Sequence, residues 1–137
     1  MKNLKLTGKI LIVLLVIQAI FELLIGMNVL FSFKNALENI FEITYSSELD
    51  ILGIIIGGYL LLLTTLLFLS IIWILKGKQA GTTIAIIVGA IFVLFGVLSY
   101  CKLGQIDGLI GDSIRGLLTI FLAYVTGKEL KKDKTIQ

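Results

Sequence analysis

Four long apolar runs, none interrupted by proline, constrain this chain more than any other feature of it. A helix that crosses a bilayer needs about 20 consecutive, mostly apolar residues. Within the hydrocarbon its backbone N–H and C=O groups must pair with one another, because no water is there to receive them. The runs extend from about Ile10 to Phe31, from Ile51 to Leu75 and from Thr82 to Tyr100, and a fourth is anchored on Ile114 to Thr126. The fourth is short by itself. To cross a layer about 30 Å thick it must begin near Leu109, which draws Asp112 and Arg115 below the membrane surface. Strands of a membrane barrel alternate apolar and polar residues, and these runs do not. The sequence predicts an all-α integral membrane four-helix bundle of up-down topology. It forms one domain over residues 1–137, with helices at about 10–31, 51–75, 82–100 and 109–127.

Composition agrees with that expectation. Hydrophobic residues make up 58% of the chain and charged ones 15%, against about 25% charged in a typical soluble domain. The first run follows Lys2, Lys5 and Lys9, as the apolar part of a signal peptide would. It is too long for one, however, and no small-x-small cleavage site follows it, so it is taken as a retained span.

Basic residues flanking the spans set the orientation. The N-terminal stretch carries Lys2, Lys5 and Lys9. The tight connection between the second and third spans carries Lys76 and Lys78, and the C-terminal tail carries Lys128, Lys131, Lys132 and Lys134. That makes nine on one side, against Lys34, Lys102 and Arg115 on the other. The bias predicts a multi-pass protein with both termini cytoplasmic, and the isoleucine- and lysine-rich composition suits the plasma (inner) membrane. Trp73 and Tyr124 fall near the expected inner boundary, and Tyr45 and Tyr100 near the outer one, where aromatic belts form. The formal charge of +3 follows from this sorting of lysines and is no signal for nucleic acid.

The longest connection, roughly Ser32 to Asp50, lies outside. Phe33, Ala36, Leu37, Ile40, Phe41 and Thr44 keep helical spacing, while Lys34, Asn35, Glu38, Asn39 and Glu42 take the opposite face. A short amphipathic helix lying on the outer surface, or extending the first span, is expected there.

Several chemistries are missing. The chain has no histidine and a single cysteine, Cys101. An intramolecular disulfide and the paired cysteines of membrane thiol oxidoreductases are therefore excluded, as are nucleophiles activated by histidine. The commonest metal ligand and the usual axial haem ligand are also lacking. No cluster suited to a metal-dependent lipid enzyme is present. The expectation is a non-enzymatic protein with no catalytic residues, no cofactor and no metal.

Polar residues inside the spans carry more information. At the helical rise, Glu22 lies roughly 4 Å outward of the midplane of the first span. Gln18 sits one turn below it on the same face. Arg115 falls roughly 5 Å outward of the midplane of the fourth span, and Tyr59 of the second span lies at a similar level. A charge at the bilayer centre costs about 2.5–3.5 kcal/mol on insertion scales. An acid and a base at matching depth are therefore expected to pair. In an up-down bundle the first and fourth helices are neighbours, so Glu22 and Arg115 are expected to form an ion pair completed by Gln18 and Tyr59. Asp112 or Ser113 is expected to cap the fourth helix.

Small residues at four-residue spacing let helices approach closely in lipid. Gly53 and Gly57 form one such set, with Gly58 beside them, and Gly81, Ala85 and Gly89 form another. The lysines Lys128, Lys131, Lys132 and Lys134 suit contact with lipid head groups. Four spans with a single acid in the first, set among Ala19, Glu22 and Gly26, resemble the small multidrug resistance family. That resemblance implies a glutamate that binds protons and cationic substrates in turn. The long outer connection and the strong charge bias depart from the family, whose loops are short and whose antiparallel dimers need weak bias. The expected function is an accessory or partner-binding subunit of a membrane assembly. Its partners are the lipid bilayer and either another membrane protein or a further copy of the chain. The alternative is a small proton-coupled transporter built on Glu22.

Overall fold

The computed structural model describes residues 4–40 and 42–136. Lys2, counted above for orientation, and Phe41, assigned to the outer amphipathic face, lie outside the described residues. The elements in chain order are α1 (Leu6–Phe31), α2 (Phe33–Asn39), a single 3₁₀ turn (Ser47–Leu49), α3 (Asp50–Leu75), α4 (Gln79–Leu103) and α5 (Ile106–Thr135). The fold is all-α, and four of its helices are long and apolar enough to cross a membrane. α1, α4 and α5 run about a turn beyond their apolar stretches at one end at least, whereas α3 adds only Asp50. The backbone keeps its own hydrogen bonds past the point where side chains become polar.

By its contacts the chain divides into two compact units, one of Met1–Val16 with Leu66–Gln137 and one of Ile17–Thr65. In the first unit, α3 ends and α4 begins around Gly77, whose φ is +69°. The Gly77 N–H bonds the carbonyl of Ile74 at 2.9 Å, and the Lys78 N–H bonds that of Trp73 at 2.8 Å. This pair of bonds is a Schellman motif, which needs a left-handed residue just past the helix and so favours glycine there. The two helices fold back tightly. Ser70 donates a 2.7 Å hydrogen bond to the Gly81 carbonyl, and a Cβ at Gly81 would stand 2.7 Å from backbone atoms of Ser70 and Ile74.

The second turn of this unit is made by Gly104, with φ +65°, whose N–H bonds the Tyr100 carbonyl at 2.9 Å. α5 then starts at Ile106, with Gln105 as its cap residue. The sequence expectation of a start near Leu109 capped by Asp112 or Ser113 is therefore corrected. Both residues lie inside the helix, past its first turn. The polar side chains of that segment hid a start that Gly104 defines. α4 and α5 run antiparallel along a seam of small residues. Gly127 lies against Thr82, Gly89 against Gly116 and Gly96 against Ser113. The start of α1 closes on the same end of the unit, where the Thr7 hydroxyl donates a 2.7 Å hydrogen bond to Glu129 Oε2. The beginning of α1, the α3–α4 turn and the end of α5 thus share one end.

In the second unit, the later part of α1 and the earlier part of α3 lie antiparallel. A Cβ on Gly26 would meet Leu60 and Leu61, one on Gly57 would stand 2.5 Å from Leu30, and one on Gly53 would stand 2.6 Å from the Phe33 ring. α2 buries Ala36 and Leu37. It stops at Asn39 and does not continue through Thr44. The Ile43 N–H turns back to the Leu37 carbonyl at 2.9 Å, and Glu42 takes a left-handed φ of 54° that a helix cannot accommodate. Ile40 and Thr44, expected on the apolar face, are exposed as a result.

Candidate functional site: polar residues within the apolar helices

α1 buries one stripe comprising Gly8, Leu11, Leu15, Gln18, Ala19, Glu22, Gly26 and Val29. The three- and four-residue steps of this stripe follow the 3.6-residue helical period. Two of its members are polar. Gln18 is 3% exposed and Glu22 is 2% exposed, in a helix otherwise composed mainly of isoleucine, leucine and valine. Water reaches neither side chain, so their polar atoms must be served from within the protein.

The antiparallel register of α1 and α3 in the second unit brings Glu22 level with Thr64. Thr64 is itself 4% exposed, and its hydroxyl donates to the Leu60 carbonyl one turn back at 2.9 Å. Tyr59, half-buried on α3, lies within electrostatic reach of the Glu22 carboxylate. Gln18, Glu22 and Tyr59 therefore belong to one compact unit, and Thr64 joins them. The sequence reading missed Thr64. A threonine pair, Thr64 and Thr65, in the middle of a leucine run was the available signal. Threonine is common in membrane helices, where back-bonding satisfies its hydroxyl.

Arg115 belongs to the other unit. Its Nη2 pairs with Asp112 Oδ1 at 2.8 Å, one helical turn away, with side chains 31% and 28% exposed. Its guanidinium carbon also lies 3.9 Å from the centroid of the Phe92 ring on α4. An arginine placed over an aromatic face is favoured by the ring's negative face. Arg115 thus meets a carboxylate of its own helix and an aromatic ring of the neighbouring helix.

The small residues take up contacts within the chain. Gly53, Gly57, Gly81, Ala85 and Gly89 are all buried. Gly89 meets Gly116, which the sequence reading did not single out. The spacing of Gly116, Thr119, Ala123 and Gly127 marked a small-residue face on α5 that could have revealed it. Gly58 differs from its neighbour Gly57, in that nothing lies within 4 Å of the Cβ it lacks.

At the end where the chain's lysines gather, two lysines sit over aromatic rings. Lys78 Nζ lies 5.9 Å from the Trp73 centroid, and Lys128 Nζ lies 4.6 Å from that of Tyr124. In the second unit, Tyr45 donates a 3.0 Å hydrogen bond to Asp50 Oδ1. That bond, with the nearby negative charge, raises the Tyr45 hydroxyl above the ordinary tyrosine range. Cys101 is exposed and forms no disulfide.

Compared with protein-family models, curated proteins and solved structures, the chain matches none of them.

Proposed function

We propose that this small multi-pass membrane protein is non-enzymatic and works by docking against another membrane protein, as an accessory subunit of the plasma membrane with both ends cytoplasmic. The observation that carries this reading is Gly58. On α3 it stands open between Ile54, Ile55 and Leu62, which are 70%, 60% and 57% exposed. The other glycines of the two small-residue sets are filled by this chain's own atoms. Helices in lipid gain little from apolar contact alone and associate where a small residue permits close approach, so Gly58 supplies a notch for a partner helix.

The test is a mild-detergent pull-down of the tagged protein at native abundance, paired with Gly58→Leu. A membrane partner recovered stoichiometrically with the natural protein and lost with Gly58→Leu supports the reading. Recovery of the chain without a partner overturns it.

A second reading is favoured by the burial of Glu22. An intramembrane acid enclosed with Gln18, Thr64 and Tyr59 suits a group that takes up and releases a proton in exchange for a cation. Proteoliposomes under an imposed pH gradient would accumulate a lipophilic organic cation, and Glu22→Gln would abolish the uptake. Absence of uptake by the natural protein rejects this alternative.

A further inference from the structure

At the lysine-rich end of the first unit, α4 and α5 line a groove of about 210 Å³ beside the Thr82–Gly127 contact. α4 lines it from Gln79 and Thr83, and α5 lines it from Tyr124, Lys128 and Lys131. The rest of its lining is mainly apolar, with Ile86, Ala123 and Gly127 beside Thr82. Lys128 is held over the Tyr124 ring, and Lys131 follows three residues later on the same face of α5. No acidic side chain lines the groove. Lys132 and Lys134, equally basic and close in sequence, are not among the residues that form it.

We infer that this groove binds one anionic phospholipid, with the headgroup phosphate between Lys128 and Lys131 and the start of an acyl chain against Ile86 and Ala123. Three features select a lipid over other anions. The groove sits where two membrane-capable helices end, its mouth is cationic, and its floor is apolar. A free phosphate would use the mouth and leave the floor exposed. α4 starts at Gln79 with no side-chain cap, so first-turn amides at the same mouth favour an anion as well. The four C-terminal lysines thus divide into two that define a site and two that act only as diffuse charge.

Native mass spectrometry of the full chain, released from bilayers of zwitterionic phosphatidylcholine doped with anionic phosphatidylglycerol, tests the inference. One retained phosphatidylglycerol per chain is expected. Lys128→Gln with Lys131→Gln should weaken its retention on the order of tenfold or more, at about 1 kcal/mol per basic residue. Lys132→Gln with Lys134→Gln removes the same charge and should leave retention within about twofold. Thr83→Trp, at an exposed position, fills the mouth without altering charge and should also abolish retention. Equal losses from the two lysine pairs would show attraction by net charge and overturn the site. So would unchanged retention in Thr83→Trp, or displacement of the lipid by excess soluble glycerol phosphate.

Discussion

A Cβ placed on Gly116 of α5 would stand 2.5 Å from the carbonyl oxygen of Gly89 on α4, and one placed on Gly89 would stand 2.8 Å from the carbonyl oxygen of Gly116. The contact is reciprocal and both obstacles are backbone, so no side chain can rotate away to admit a methyl group. The seam between the two helices is set at the distance of two bare backbones. Gly116→Ala should destabilise the protein by about 1–3 kcal/mol, the usual cost of overpacking. Gly58→Ala, where nothing lies within 4 Å, should change stability by less than about 0.5 kcal/mol. Thermal unfolding of both variants in the same detergent checks the contrast. Equal effects would mean that the Gly89–Gly116 approach does not limit the packing.

Gly77 is required for a different reason, its backbone conformation. Its φ of +69° costs other residues roughly 1–2 kcal/mol. Gly77→Ala should lower stability by about that amount, whereas Lys76→Ala beside it should not, as equilibrium unfolding in detergent would show.

The Tyr45–Asp50 bond makes a prediction in pH. Because the hydroxyl donates to a carboxylate, the neutral tyrosine is favoured and its titration moves above the ordinary value of about 10. A group raised in the folded state contributes its stabilisation below the unfolded value and loses it as pH rises through the folded one. The contact should therefore persist through neutral pH and fail only in strong alkali. Tyrosinate absorbance should include a late-titrating component that is absent in Tyr45→Phe and returns toward the ordinary range in Asp50→Asn. An unchanged titration in Asp50→Asn would remove the carboxylate as the cause.

The spans were legible because uninterrupted apolar runs without proline leave the backbone few alternatives in lipid. Boundaries were legible only where a glycine marked them. Gly104 follows an apolar run and carried the information that α5 begins at Ile106, but Asp107 and Asp112 drew attention to a later start. The end of α2 had no such mark. Glu42 adopts a left-handed conformation that its residue type does not announce, so helical spacing carried the expected helix too far. Gln18 and Glu22 stood out as polar residues in an apolar helix. Their burial followed from periodicity, since both fall on the stripe of Leu11, Leu15 and Val29. Thr64 and the groove beside Lys128 depend on which helix faces which and at what register, and one-dimensional spacing does not encode that.

The Thr7–Glu129 bond links positions 122 residues apart, and that separation bears on biogenesis. A chain made from its N-terminus inserts α1 before α5. α1 must therefore wait in the bilayer without this partner while the intervening spans are synthesised. The α3–α4 turn, by contrast, can close locally as soon as it emerges. Truncation ahead of Glu129 would leave α1 without this contact, giving membrane quality control a means of distinguishing chains that carry a docked α5 from those that do not.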